Sequence, residues 1–409
     1  MKIFDLRTET RGAWTGRVAS LQWEDSDRPA RDLCFLTGDE LAADLSESGN
    51  PFLAGAFPAA LKHGEQRIFV DGPCCPWLCD GLETVIKYFD HWFYGNDRSL
   101  RIETGGHAAP EREQRRTGAF VSGGLDSSFA LWDNARRFPH GHSGRIRDAI
   151  MLQGFEIQVG HEASEPVFDR ALDALTPVAA ELDLELIPMI TNLRQLEPDG
   201  DFWGEQFQGP ILAAAAHALA PRLTDVIVAA STDVANLRPY GTHPALDPKL
   251  GSHSLTIHHL GERYTRLEKI KAMADWPTAL DRLRVCARAP ADRLNCGCCE
   301  KCTRVMLELL VVGKLDSCPA FEQRDVTPAM LEGLLIDGDV MMFFADLVPD
   351  LRAIGRSDLA RAIMGHAIRD MPRRFQEYSE TILKDLDHTF NQGRLRTWVR
   401  RLREPRDSS

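Results

Sequence analysis

Residues 120–129 read FVSGGLDSSF: an apolar run, then two glycines, an aspartate and three serines packed together. GAFV (118–121) has strand character and 127–137 fit a helix, so the glycines fall where a strand feeds a helix. Gly123 and Gly124 can take backbone conformations closed to other residues and turn successive N–H groups inward as an anion nest. A helix beginning near Ser127 adds unpaired amides and the positive end of its dipole. Ser122, Ser127 and Ser128 add hydroxyl donors. Asp126 would repel an anion unless a cation lay between them, and magnesium shared by a carboxylate and phosphate oxygens meets that need. The stretch predicts a polyphosphate site with magnesium. It is neither the Walker loop, which needs Gly-Lys-Ser/Thr, nor the dinucleotide Gly-x-Gly-x-x-Gly.

Outward from it, RDAIMLQGF (147–155), ELIPMITN (185–192) and DVIVAAS (225–231) read as further strands. Helices fit 164–182, where Pro177 is expected to kink or restart the chain, and 204–219, where Phe207, Ile211, Leu212, Ala215 and Leu219 share a face. Four such βα units predict an α/β fold, a doubly wound parallel sheet with ligands at the carboxyl ends of its strands. Residues 1–110 read as a separate α+β domain, with strands at 16–24, 31–38, 66–72 and 99–105. Leu78, Leu82, Val85, Ile86, Phe89 and Phe93 form the stripe of a core helix there. GGHAAPEREQRRTG (105–118) is the linker candidate. The expected partition is 1–110, a nucleotide-type sheet domain at 117–285, a cysteine module at 286–318 and a helical tail at 319–409, beginning with Thr327 as cap and Pro328 in the first turn.

The 409 residues are 44% hydrophobic and 26% charged, a globular composition. A net charge of −12 argues against nucleic acid and anionic membrane as partners. Arg394, Arg396, Arg400, Arg401, Arg403 and Arg406 make the end locally basic, read as a solvated helix face. PILAAAAHALA (210–220) is too short to span a bilayer, and MKIFDLRTETRG lacks a signal-peptide pattern. The expected compartment is the cytoplasm, where clustered cysteines point to metal or catalysis rather than disulfides.

VCARAPADRLNCGCCEKCTR (285–304) supplies such a cluster. Cys286, Cys296, Cys299 and Cys302 suit a closed tetrahedral zinc site, with Gly297 letting the chain turn; an iron–sulfur cluster is the alternative. Cys298 competes with Cys299 for the third position, and Cys299 keeps both two-residue gaps. Cys74, Cys75 and Cys79 read as packing cysteines, and His258 and His259 as structural. Lys271, Asn192, Arg194, Ser231, Thr232, Tyr240, Thr242 and His243 lie where they could face the cleft.

SGGLDSS resembles the pyrophosphate-binding loop of the N-type ATP pyrophosphatases, which include asparagine synthetase, GMP synthetase, NAD synthetase and 7-cyano-7-deazaguanine synthase. The cysteine pattern, followed by a helix, is similar to the zinc module of the last of these. The likeness covers about 117–312. It implies an adenine nucleotide alpha hydrolase-like fold, with ATP held by Ser122, Gly123, Gly124, Leu125, Asp126, Ser127 and Ser128. Adenine would rest near Gly154 and Phe155. Asp126, Ser127 and Lys269 would be catalytic, with Mg2+ and Zn2+ as metals. The implied activity is adenylation of a substrate carbonyl or carboxylate with release of pyrophosphate, then C–N bond formation. Alternatives are a thiolation enzyme acting on tRNA or a small molecule, and a non-catalytic nucleotide sensor. The expected partners are a small-molecule or peptide substrate, an ammonia donor if ammonia is the nucleophile, and further copies of the chain if it is a homo-oligomer. Asp126→Asn is expected to stop turnover and leave the fold intact.

Overall fold

The run at 118–121 becomes a short, wholly buried strand, β6 (Thr117–Phe120), between two parallel neighbours, β7 (Ile146–Gln153) and β9 (Asp225–Ala229). β8 (Glu185–Thr191) continues the parallel ladder beyond β7, and β10 (Thr256–Leu260) continues it beyond β9. The chain thus builds outward from β6 on one side, then crosses back and builds on the other. β7 is buried along nearly its whole length, as a strand covered on both faces must be. The computed structural model describes residues 1–108, 116–160, 164–290, 292–336, 338, 340–372 and 379. The arginine-rich end and 109–115 of the linker candidate lie outside them.

The N-terminal strands do not form a separate sheet. β1 (Lys2–Arg11), β2 (Trp14–Gln22), β3 (Arg31–Gly38), β4 (Arg67–Cys74) and β5 (Arg101–His107) extend the same sheet. Its ten strands run β10-β9-β6-β7-β8-β3-β2-β1-β4-β5, mostly parallel. The seam is the antiparallel pair β3–β8, with Phe35 opposite Thr191 and Thr37 opposite Met189. Asn192 closes it: its Nδ2 donates to Asp32 O at 2.7 Å and its Oδ1 accepts from Cys34 N at 3.0 Å. The partition expected at 105–118 is therefore corrected. Met1–Arg324 is one compact unit that also holds the cysteine module, and Asp325–Ser409 is a second. The described part of the second is helical, with α10 (Pro328–Glu332) preceded by Thr327 at its N-cap position without a side-chain capping bond, α11 (Val340–Ala345) and α12 (Val348–Ala353).

In the first unit, α1 (Asn50–Lys62) and α6 (Gln208–Ala218) pack against each other. Leu193 and Ala214 lie so close to Gly55 that a β-carbon there would meet them at 2.5 and 3.1 Å. Both helices are apolar all round, as buried helices are. α6 therefore has no single core face, contrary to the stripe expected for it, because α1 covers its other side. α2 (Pro76–Phe89) buries Leu78, Leu82, Val85, Ile86 and Phe89 as its stripe predicts. α4 (Ser164–Leu182) runs through Pro177 as one helix. α5 (Gly200–Phe202) leads by a π-turn into α6. α3 (Leu125–Arg137), α7 (Arg266–Met273), α8 (Pro277–Leu280) and α9 (Glu300–Val311) complete the unit. Among the described residues no helix is long and apolar enough to cross a membrane.

His217 on α6 is fully buried and donates from Nε2 to Leu250 O at 2.8 Å. Burial pulls its pKa down to about 4 against the opposing pull of that bond. The unfolded chain protonates first, near an ordinary value of about 6.5, so stability falls as pH drops from there toward 4. Urea unfolding between pH 7 and pH 4 should show a loss of up to about 3 kcal/mol from this site, absent from His217→Gln.

Candidate functional site

β6 gives way to Ser122, Gly123 and Gly124, and α3 starts at Leu125 with Gly124 as its N-cap. Gly123 sits at φ +75°, the left-handed region that the turn requires, and a β-carbon there would lie 3.3 Å from Arg284 Cβ. The chain after α8 pins the loop from outside. Arg284 N donates to Gly123 O at 2.8 Å, and Arg284 Nη1 donates to Ser122 O at 3.4 Å. The serines brace it from within. Ser127 Oγ donates to Gly124 O at 3.1 Å and accepts from Ser122 N at 3.3 Å; Ser122 Oγ accepts from Gly124 N at 3.2 Å. Leu125 is buried in the core, so only its backbone can face a ligand.

Asp126 stands differently from the open magnesium ligand expected of it. Its Oδ1 accepts from Lys269 Nζ at 3.0 Å, and its Oδ2 is paired with the Arg266 guanidinium. Burial alone would push this carboxyl up, but Arg266 and Lys269 hold it below the usual carboxylate range. Lys269 is 1% exposed and also donates to Ala230 O, just past β9, at 2.6 Å. Arg266 Nε reaches Glu308 Oε1 at 3.2 Å. Burial disfavours the Arg266 charge, yet Asp126 and Glu308 raise its pKa overall. Arg304 beside it is pulled down by burial and by Arg266. Arg266 and Lys269 share a face because Thr265 and Glu268 close a capping box that starts α7 one residue before Arg266.

At the end of β7, Gly154 takes φ +95°, and a β-carbon there would fall 1.7 Å from Thr191 O. Phe155 is half-buried, 4.5 Å from the Trp203 ring, and its carbonyl accepts from Arg194 Nη1 at 2.6 Å. Arg194 lies over Trp203 at 4.1 Å. Glu156 then links three segments: Arg284 at 3.6 Å, itself bonded to the loop, and Lys301 on α9 at 3.5 Å. The loop, the β7 turn and the start of α9 thus meet. Asn192 is spent on the β3–β8 seam and does not face this cleft. Tyr240 accepts from Gln208 Nε2 at 3.1 Å, and the His243 ring lies 5.3 Å from Trp92, both tied to neighbouring side chains. His258 and His259 bond Asp225 and Asp247, as structural histidines do. Arg266, Arg284, Glu156, Lys301 and Glu308 were not singled out from the sequence, although the Thr265–Glu268 box would have placed Arg266 beside Lys269.

The knuckle brings the Sγ atoms of Cys286, Cys296, Cys299 and Cys302 within 4.8 Å of one another, a group that could hold a metal ion such as zinc. Cys286–Cys299 and Cys296–Cys302 are 3.7 and 3.8 Å apart. A tetrahedron with Zn–S bonds of about 2.3 Å has edges of about 3.8 Å. An iron–sulfur cluster interposes its own inorganic core and needs wider spacing, so the donor set fits a single ion. Cys298 stays outside the quartet and is exposed, which resolves the register in favour of Cys299. Gly297 makes the turn at φ +73°. Bonding from Cys302 is the largest influence drawing the Cys299 thiol down, and the same contact pushes the Cys302 thiol up. Cys74 and Cys79 are pushed up by burial, Cys79 to about 11, which suits packing thiols rather than nucleophiles. Compared with protein-family models, curated proteins and solved structures, the chain matches none.

Asp126→Asn would remove the carboxylate that Arg266 and Lys269 share and should cost about 3–5 kcal/mol in urea unfolding. Since the paired carboxyl titrates low, its contribution is present above about pH 4 and is lost as pH falls through the lowered value. Lys269→Met in the same chain should recover part of that cost. In a separate measurement of bound metal, Cys299→Ser should lose it and melt at lower temperature, whereas Cys298→Ser should keep it.

Proposed function

We propose that this chain is an ATP-dependent enzyme of the N-type ATP pyrophosphatase class, on a doubly wound sheet. A polyphosphate would lie on the amides of 123–128, and adenine by the Gly154–Phe155 turn. The observation that carries this reading is the placement of Ser-Gly-Gly-Leu-Asp-Ser-Ser. It follows the strand at which the sheet's order reverses, where ligands of open α/β sheets bind. Gly123 in the left-handed region and the ion-paired Asp126–Arg266–Lys269 group add support.

In the proposed reaction an acceptor carboxylate or carbonyl oxygen attacks the α-phosphorus and pyrophosphate leaves. A nitrogen nucleophile then attacks the acyl carbon and AMP departs. Lys269 and Arg266 supply fixed positive charge near the charge that builds on pyrophosphate, the preorganised electrostatics that dominates such steps. Both Asp126 oxygens already bond to cations, so magnesium would enter with the nucleotide rather than wait on a free carboxylate. Zinc on the four thiolates would be structural, holding the start of α9 and with it Lys301. Spacing that suits one ion weighs against thiolation chemistry that needs an iron–sulfur cluster.

Incubation with ATP, magnesium and pools of carboxylic acids plus ammonia should yield AMP and pyrophosphate; ADP and phosphate would sink the pyrophosphatase reading, and no turnover with tight ATP binding would sink the enzyme reading. Gly123→Ala forces a side chain into the left-handed region at a cost of roughly 1–2 kcal/mol. It should weaken nucleotide binding about tenfold or more while the fold persists, as read by calorimetry and circular dichroism.

A further inference from the structure

We propose that Cys298 is a reversible oxidation site whose disulfide with Cys296 releases the metal held by the four-cysteine knuckle. All ten cysteines lie in the described residues, and Cys298 is the one that is exposed. Its Sγ lies 3.7 Å from Cys296 Sγ, which itself faces Cys302 Sγ at 3.8 Å. One sulfur is thus shared between a metal quartet and a thiol open to solvent. Gly297, at φ +73°, folds the chain so that the side chains on either side of it converge. From that separation the two sulfurs must close to the S–S bond length of about 2.0 Å. Cys286 and Cys302 are buried, so an oxidant in water meets Cys298 first.

The oxidant is a peroxide. The Cys298 sulfur attacks one peroxide oxygen, the O–O bond breaks, and a sulfenic acid and water result. The Cys296 thiolate then attacks the Cys298 sulfur; an S–S bond forms as hydroxide leaves and takes up a proton. Two electrons pass from the thiol pair to the peroxide, and both of its oxygens end in water. The metal keeps three thiolates and becomes labile. A dithiol reductant reverses the bond and restores the fourth ligand. This requires only that the quartet hold a metal and stands apart from the nucleotide reading. Its consequence would reach the loop, because α9 carries Lys301 to Glu156, and Glu156 also meets Arg284.

The test uses the full chain loaded with zinc and titrated with hydrogen peroxide. Freed zinc is read with a chromogenic chelator, and the disulfide is mapped by peptide mass. Zinc release should track appearance of a Cys296–Cys298 linkage and reverse on adding dithiothreitol and zinc. Cys298→Ser, which leaves the quartet whole, should slow release about tenfold or more. Alkylating Cys298 in the loaded wild-type chain should do the same. Equal release from wild type and Cys298→Ser, a disulfide confined to the other cysteines, or a chain that takes up no zinc would each overturn the proposal.

Discussion

The first unit turns on one largely buried ionic contact, Asp126 against Arg266 and Lys269, which ties the start of α3 to the start of α7. Taking such charges out of water costs several kcal/mol per ion, and their attraction repays it only with good geometry and further bonds. Here those bonds exist: Lys269 also serves Ala230 O, and Arg266 also serves Glu308. A well-packed apolar trio would stabilise as well or better. The charges therefore specify an arrangement more than they add stability, and that arrangement lies beside the glycine loop.

A second ionic cluster shows why burial of charge alone does not mark a working site. At the amino ends of the strands, Arg116 and Arg222 converge on Asp148, which has no exposure, and Arg222 also holds Asp44. That group spans β6, β7 and the approach to β9, and Glu185 on β8 pairs with both of its arginines. The cluster at the carboxyl ends differs in its surroundings. It adjoins a helix N-terminus and a left-handed glycine, and its cations sit in the first turn of α7. Positive side chains are disfavoured there by the helix dipole. A fold seeking stability alone would place an acid at those positions; this one keeps the cations and gives them one carboxylate to share.

What the sequence disclosed follows from how locally each feature is encoded. β6, β7, β8 and β9 are apolar runs bounded by turns, and the glycine loop and cysteine spacing are contiguous, so all were readable. β1 escaped because Ile3 is its only buried side chain and Asp5, at φ +54°, breaks its register. α1 escaped because Pro51, Gly55 and Pro58 read as helix breakers, whereas a helix buried all round tolerates them through packing. The β3–β8 seam pairs residues more than 150 positions apart, and nothing in either strand names the other. Arg266 and Arg284 look like ordinary solvated charges until the fold brings Asp126, Glu308 and Gly123 to meet them.

The knuckle brings the metal into the same frame. Structural zinc in small modules binds with about 10–16 kcal/mol, comparable to the whole stability of a domain, roughly 5–15 kcal/mol. An ion bound by the four cysteines would act where α9 begins, and α9 supplies both Lys301, which reaches Glu156, and Glu308, which supports Arg266. One helix thus touches the glycine loop by two routes. One passes through Glu156 and Arg284 to the carbonyls of Ser122 and Gly123; the other passes through Arg266 to Asp126. A rigid start to α9 fixes both at once, so an ion held by the four thiolates would act on the geometry of the glycine loop without touching it.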